Sequence, residues 1–339
     1  MIERAAKTYI FDLHCDTLDR LALHRAFPEA EFCDRDASIP DNRMQSLVDN
    51  DCHIDLTRMA QANYAWCQCF AAFIPDHVSP DWSWQVFCHV RDYFKAQLAE
   101  HTALISQASD ARDIRNIVDA DKCAGMFTVE GASFLDGSVD SLGRLRQAID
   151  AGVKMITLTW NGKNAIASGN STADGLTSFG KQVIAEMEAR HVVVDVSHLN
   201  DRSFWDVEKA SSRPFAASHS NARAVCGHAR NLTDDMFRAL VERGGIVGLN
   251  FCREFLREDG AGPTRDDVLR HVDYFLNLGG EHALALGSDY DGCDVPSWLE
   301  PAQNVGNLHA LLAREFGEEV ASDICFNNAA AFFERNEAL

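Results

Sequence analysis

Short runs rich in β-branched and aromatic residues recur along the whole chain, at residues 9–14, 64–73, 125–130, 154–159, 191–197, 214–219, 245–250 and 284–289. Between most of them lies a helical pattern of apolar positions, as at 142–151, 176–190, 234–243 and 266–278. A strand that is apolar on both faces must be covered on both. Helices supplied by the intervening chain achieve this when the strands run parallel. Eight such units predict an α/β architecture, a closed (β/α)8 TIM barrel. Gly152, Gly244 and Gly279 each stand just past a helical pattern, where a left-handed residue ends a helix before the next strand.

The spacing is uneven near the start. Residues 19–63 and 75–120 are too long for plain connections and are expected to carry extra helices, one of them over 84–101, inserted in the N-terminal third. No linker or repeat interrupts the pattern, so one domain over residues 1–339 is preferred to two. The balance of 31 basic against 51 acidic residues gives a net charge of −20, which repels phosphate backbones and anionic lipid. Nucleic acid is excluded as a partner on that ground. The 11 cysteines are scattered, with no C-x-x-C pair, as suits a reducing compartment. No window approaches the roughly 18 apolar residues of a membrane span. The first residues lack the uninterrupted apolar stretch of a secretory signal. A cytoplasmic protein with no membrane contact is the expectation.

In a barrel of this kind the C-terminal strand ends and the loops after them build the active site. Here those ends carry ionisable groups. The first run ends Asp12-Leu13-His14-Cys15-Asp16, and alternation along a strand predicts that Asp12, His14 and Asp16 share a face. The third ends at Glu130 beside Gly131, the fifth reaches Asp195, Ser197 and His198, the sixth His219, and the eighth Asp289. Any one of these could be a satisfied buried polar residue. Five strand ends that all supply His, Asp or Glu are harder to explain so, because each buried charge costs several kcal/mol unless paired or bound to metal.

Three imidazoles and two carboxylates without a cysteine pair suit Zn²⁺ or a similar ion, and exceed what one tetrahedral centre uses. Two metals sharing a carboxylate would account for the surplus, with a bridging hydroxide as nucleophile. Asp289, surplus to the ligand set, would then shuttle a proton, although a ligand or loop-cap role fits the pattern equally. Arg230 sits in the donor-rich loop after the sixth run and could grip a carboxylate with two parallel bonds. Asp291 reads as a turn former beside Gly292, and Asp195 as a supporting or packing residue. His228 and the histidines at 24, 53, 77, 89, 101, 191, 271, 282 and 309 lack evident partners and receive no role.

Taken in order, FDLHCDTL (11–18), TVEGA (128–132), DGLTSFGKQVIAEM (174–187), VVVDVSHLN (192–200), ASHSNARAV (217–225), ARNLTDD (229–235) and GSDYDG (287–292) resemble the membrane (renal) dipeptidase family of binuclear zinc peptidases, peptidase family M19. The soluble bacterial members are the nearest match. The resemblance implies a TIM barrel of the metal-dependent hydrolase type that cleaves dipeptides, tolerates a D-residue at the second position and forms homodimers. It implies two Zn²⁺ ions, one held by His14 and Asp16, the other by His198 and His219, with Glu130 bridging. It further implies Asp289 as proton shuttle and Arg230 as the clamp for the substrate's terminal carboxylate. One departure stands out: mammalian relatives carry a histidine at the end of strand four, where TLTWNGKN (157–164) presents Trp160. Trp160 or its neighbour Asn161 is expected to take over part of that substrate contact. Lys154, as a carbamylated bridge, lies at the wrong end of its strand. The rival readings are lactone or cyclic-amide hydrolysis on the same centre, or a metal-binding scaffold without catalysis.

Overall fold

The apolar runs become parallel strands in a computed structural model that describes residues 7–26 and 46–339. The strands are β1 (Thr8–Cys15), β2 (Tyr64–Phe73), β3 (Ile105–Gln107), β4 (Cys123–Glu130), β5 (Val153–Thr157), β6 (Val193–Asp195), β7 (Ala216–Ala217), β8 (Ile246–Leu249) and β9 (Leu284–Leu286). They neighbour one another in the order β2-β1-β9-β8-β7-β6-β5-β4, and pairing of β2 with β4 shuts the ring into an eight-stranded parallel barrel. All eight expected runs supply barrel strands.

The ninth strand, β3, has no counterpart among those runs. Its three residues, ISQ, pair with β4 from Cys123 to Gly125, below the point where β5 joins β4 at Phe127. It fills a gap that the barrel's stagger leaves under β5. Gly152, at φ +102°, turns into β5 against it, and a Cβ there would lie 2.3 Å from Gln107 Nε2. A side chain at that position would be strained by the positive φ and would have to displace the Gln107 amide.

From β4 to β8 each strand is followed by a helix on the outside: Ser141–Asp150, Ser178–Ala189, Asp201–Ala210, Asp234–Glu242 and Arg265–Asn277. Thr177, Asn200 and Thr233 cap three of these through bonds to the N–H of Gly180, Ser203 and Met236. Thr264 and Asp267 form a capping box on the fifth. The stretches read as insertions hold helices Leu56–Gln61, Pro80–Glu100 and Ala111–Asp119, while residues 27–45 of the first lie outside the described residues. The helix expected over 84–101 starts earlier, because Ser79 caps it and Pro80 fits the first turn.

Two apolar layers hold the barrel. One lies between sheet and helices, where Phe87, Phe94 and Phe127 stack with ring centroids 5.4 to 5.8 Å apart. The other fills the lower barrel with Phe11, Cys67, Met126, Met155, Val193 and Ile246 and extends to Phe326, Phe332 and Phe333. Phe333, on the last helix Asn328–Ala338, stacks on Phe11 at 5.6 Å and stops the N-terminal end of the barrel. The ionisable strand ends lie at the other end, the C-terminal mouth. No helix among the described residues is long and apolar enough to cross a membrane.

Candidate metal centre

Several expected strands stop pairing before their polar ends. β6 ends at Asp195, β7 at Ala217 and β9 at Leu286, so Ser197, His198, His219 and Asp289 lie beyond the last residues of their strands. His198 and Asp289 take φ +69° and +62°, a left-handed conformation that non-glycine residues seldom adopt. Such backbone re-aims a side chain, and at both positions it serves the mouth.

In the first strand the expected alternation fails. Pairing with β2 shifts register between Asp12 and Cys15. His14 joins the cluster at the mouth. Asp12 instead accepts from Gln68 Nε2 at 3.0 Å, Ser288 N at 2.8 Å and Ser288 Oγ at 2.6 Å, tying β1 to the loop after β9.

His14, Asp16, Glu130, His198 and His219 meet in one buried group. Glu130 stands between the others: its Oε2 is 3.4 Å from His14 Nε2, and its Oε1 lies 2.6 Å from His198 Nε2 and 3.7 Å from His219 Nε2. His14 Nε2 is 3.4 Å from Asp16 Oδ2 and 3.9 Å from Asp289 Oδ1. Two sets of three donors, His14–Glu130–His219 and His14–Asp16–Asp289, have ligand atoms within 4.8 Å of one another. His14 Nε2 and Asp16 Oδ1 are buried without a hydrogen-bond partner. Orphaned atoms of this kind, facing a carboxylate and other imidazoles, fit divalent cations.

The groups behind the cluster set its tautomers. Asp195 accepts from Thr157 Oγ1 at 2.5 Å and from Ser218 Oγ at 2.6 Å. Ser218 Oγ, its proton thus committed, stands 2.7 Å from His219 Nδ1 and can accept from it. That leaves the His219 Nε2 lone pair facing Glu130. Asn161 Oδ1 does the same for His198, 2.9 Å from its Nδ1, while Asn170 Nδ2 holds the amide in place at 3.1 Å. A metal-binding imidazole is commonly oriented by such a partner on its other nitrogen. Burial, with Arg230 nearby, pushes His198 below its usual range. Burial, reinforced by His14 and Arg230, pushes His219 well below. Burial works against charge on His14 and on Glu130, but their mutual attraction outweighs it: His14, with Asp16 also beside it, is held well above its usual range and Glu130 well below. Asp16 is pushed up to about 7 by burial, against the pull of His14.

Above the cluster opens a cavity of about 560 Å³ lined by Asp16, Glu130, His198, Arg230, Trp160 and Asp289 among others. Arg230 is buried, with its guanidinium 5.4 Å over the Phe255 ring, its Nη2 donating to His219 O at 3.4 Å and its Nε unpartnered. Trp160 packs edge-on against Phe73 at 5.1 Å and sits 6.4 Å from the His198 ring. Asn161 also lines the cavity, although its side-chain oxygen is engaged by His198. Lys154 lies near the start of β5, away from the mouth.

Some roles were invisible in the sequence. Asn250, just past β8, donates to Asp289 Oδ2 at 3.0 Å; its place at a strand end was the available signal. Asp19, one helical turn after Asp16, lines the cavity with one oxygen accepting from Phe73 N at 2.6 Å. Asp291 is more than a turn former: it accepts from Thr17 Oγ1 at 2.5 Å and from His53 N at 2.8 Å. The expectation that the other histidines lack partners is also corrected. His53 Nδ1 accepts from Asp291 N at 2.8 Å, buried His271 accepts from Ala222 N at 3.2 Å and lies 3.1 Å from Leu256 O, and His228 Nδ1 accepts from Arg230 N at 3.2 Å. A buried imidazole must satisfy its nitrogens, and only packing reveals with what.

Residues 3–339 match the family model described as membrane dipeptidase, peptidase family M19. An uncharacterised protein from the pqqA 5′ region of Klebsiella pneumoniae is 36% identical over 246 residues, which is 68% of this chain and 89% of that protein. An uncharacterised dipeptidase of Schizosaccharomyces pombe is 31% identical over 77% of this chain and 66% of its own. Among solved structures, a metallopeptidase from Rhodobacter sphaeroides, liganded with a phosphinate mimic of the dipeptide L-Ala-D-Ala, superposes with a TM-score of 0.84 at 26% identity, covering 98% of this chain and 100% of that one.

Proposed function

The chain belongs to the membrane dipeptidase family, peptidase family M19, and from that premise we propose that it is a zinc-dependent dipeptidase which accepts a D-residue at the C-terminal position. The observation that carries this reading is the buried set of His14, Asp16, Glu130, His198 and His219 with His14 Nε2 and Asp16 Oδ1 unpartnered. We assign His14 and Asp16 to one ion, His198 and His219 to the other, and Glu130 to both, since its two oxygens face the two halves of the set. Zinc held by these residues would supply Lewis acidity, making a water nucleophilic and polarising the peptide carbonyl.

The remaining work falls to the chain's own groups. Asp289, steadied by Asn250, takes the proton released at the nucleophile and returns it to the leaving amine. Arg230, buried with its Nε free, binds the terminal carboxylate and so restricts substrates to those with a free C-terminus. Trp160 and Asn161 form the wall beside the carbonyl, Trp160 through its indole N–H and Asn161 chiefly by orienting His198. The D-residue tolerance is supported by the L-Ala-D-Ala mimic bound in the Rhodobacter sphaeroides relative. A cytoplasmic homodimer is the accompanying proposal. Free cysteines among the described residues favour the compartment, and light scattering on the purified protein tests the dimer.

Asp289→Asn is the decisive variant. We expect its zinc content to match the parent while dipeptide hydrolysis falls by at least about 10²-fold, the usual size of a lost acid–base group. Hydrolysis at the parental rate would remove the shuttle from the mechanism.

A further inference from the structure

The helix Thr17–Ala26 starts one residue after Asp16, and Arg20 sits in its first turn. A cation there opposes the helix dipole, whose N-terminal end is positive, so helix stability does not explain it. Arg20 is half-buried and lines the cavity. Its Nε donates to the Asp291 carbonyl oxygen at 2.9 Å, which orients the guanidinium plane. Of the carboxylates around it, Asp291 is engaged by Thr17 and His53 and Asp19 by the Phe73 N–H through Oδ2, its Oδ1 being buried without a hydrogen bond and making none to Arg20. Among the described residues, no ion pair or hydrogen bond occupies the two terminal nitrogens of Arg20.

Among the described residues, Arg230 is the other guanidinium of the cavity wall. Arg20 follows β1 and Arg230 follows β7, three strands apart around an eight-stranded ring, so the two line the same cavity from different sides of the ring. A dipeptide laid with its C-terminal carboxylate on Arg230 and its carbonyl over the cluster sends its first residue toward the Arg20 wall. A planar fork with two free donors matches a carboxylate. We infer that Arg20 binds a side-chain carboxylate on the first residue, so that dipeptides beginning with Glu or Asp are the preferred substrate class. This rests on the dipeptidase reading above.

The test compares Glu-Ala, Gln-Ala, Ala-Glu, Ala-Gln and Ala-Ala on zinc-loaded protein, wild type and the variants Arg20→Gln and Arg20→Lys. Inhibition constants of the phosphinate analogues of Glu-Ala and Gln-Ala give a second readout. A charge-assisted pair predicts that wild type favours Glu-Ala over Gln-Ala by roughly 10- to 100-fold in kcat/KM, mostly through KM. Arg20→Gln should bring that ratio close to one, and Arg20→Lys should retain part of it. The two phosphinates should follow the same order. Equal wild-type rates for Glu-Ala and Gln-Ala overturn the inference without any variant. So does an Arg20→Gln enzyme that loses both equally, or a wild-type preference for acid at the second residue. Failure of wild type to cleave any of the five, Ala-Ala included, is a different result: it removes the dipeptidase reading, and the role of Arg20 with it.

Discussion

Glu130 has the most demanding position in the molecule, a buried carboxylate whose two oxygens face opposite halves of a histidine cluster. Replacing it with Gln keeps the shape and removes the charge. If Glu130 holds both ions, Glu130→Gln binds fewer than two zincs per chain, measured by metal analysis after gel filtration; two tightly held ions would refute the bridge. Ser218 tests the layer behind. Its hydroxyl lies between Asp195 and His219 Nδ1, so Ser218→Ala frees the imidazole to take the wrong tautomer. Loss of such a partner typically costs 10- to 100-fold in metal affinity, and competition with a chromogenic chelator reads it directly. Residue identity had disclosed the cluster, because His and Asp at strand ends are conspicuous. It had not disclosed Asn161 or Asn250 as supports, since an asparagine beside a strand has many ordinary uses and only its partner distinguishes them.

The elements show a similar division. Periodicity located the eight barrel strands because each is apolar for several residues, whereas β3 contributes three residues with a single buried side chain and leaves no pattern to read. Asp195, read as a supporting or packing residue, accepts from Thr157 and Ser218, whereas Asp12, which alternation groups with His14 and Asp16, is engaged by Gln68 and Ser288 next to a register shift in β1. The last helix shows what an element can do far from the site. Phe333 stacks on Phe11 and plugs the lower barrel. Phe333→Ala should cost about 3–5 kcal/mol of stability by denaturant unfolding. Zinc stoichiometry should stay unchanged, since the plug and the mouth lie at opposite ends.

Across the whole molecule, stability and metal loading are linked through protons. In the metal-free protein Asp16 is pushed up to about 7 by burial, and His14 is held well above its usual range by Asp16 and Glu130 despite burial. Both groups bind protons more tightly folded than unfolded. Their contribution to the metal-free fold is therefore present at low pH and lost as pH rises, for Asp16 between its unfolded value near 4 and about 7. Zinc needs the same groups deprotonated, so its binding displaces those protons. The rise in Tm on adding zinc is therefore expected to be larger at pH 8 than at pH 6. Calorimetry in buffers of differing ionisation enthalpy should show proton release on binding. An equal rise in Tm at both values, with no proton release, would contradict this account of the cluster.

The barrel, its parallel sense and the chemical character of its mouth were written in local pattern, because strand period, helix period and the residue that ends each run are properties of neighbours in the chain. The pairing that closes β2 on β4, the bonds from Gln68 and Ser288 to Asp12, the hydrogen bonds between Asn161 and His198 and from Ser218 to Asp195, and the shared cavity wall of Arg20 and Arg230 join residues tens to hundreds of positions apart. Contacts of that range leave no trace in local order. They exist only once the ring has closed and every buried polar atom has had to find its partner.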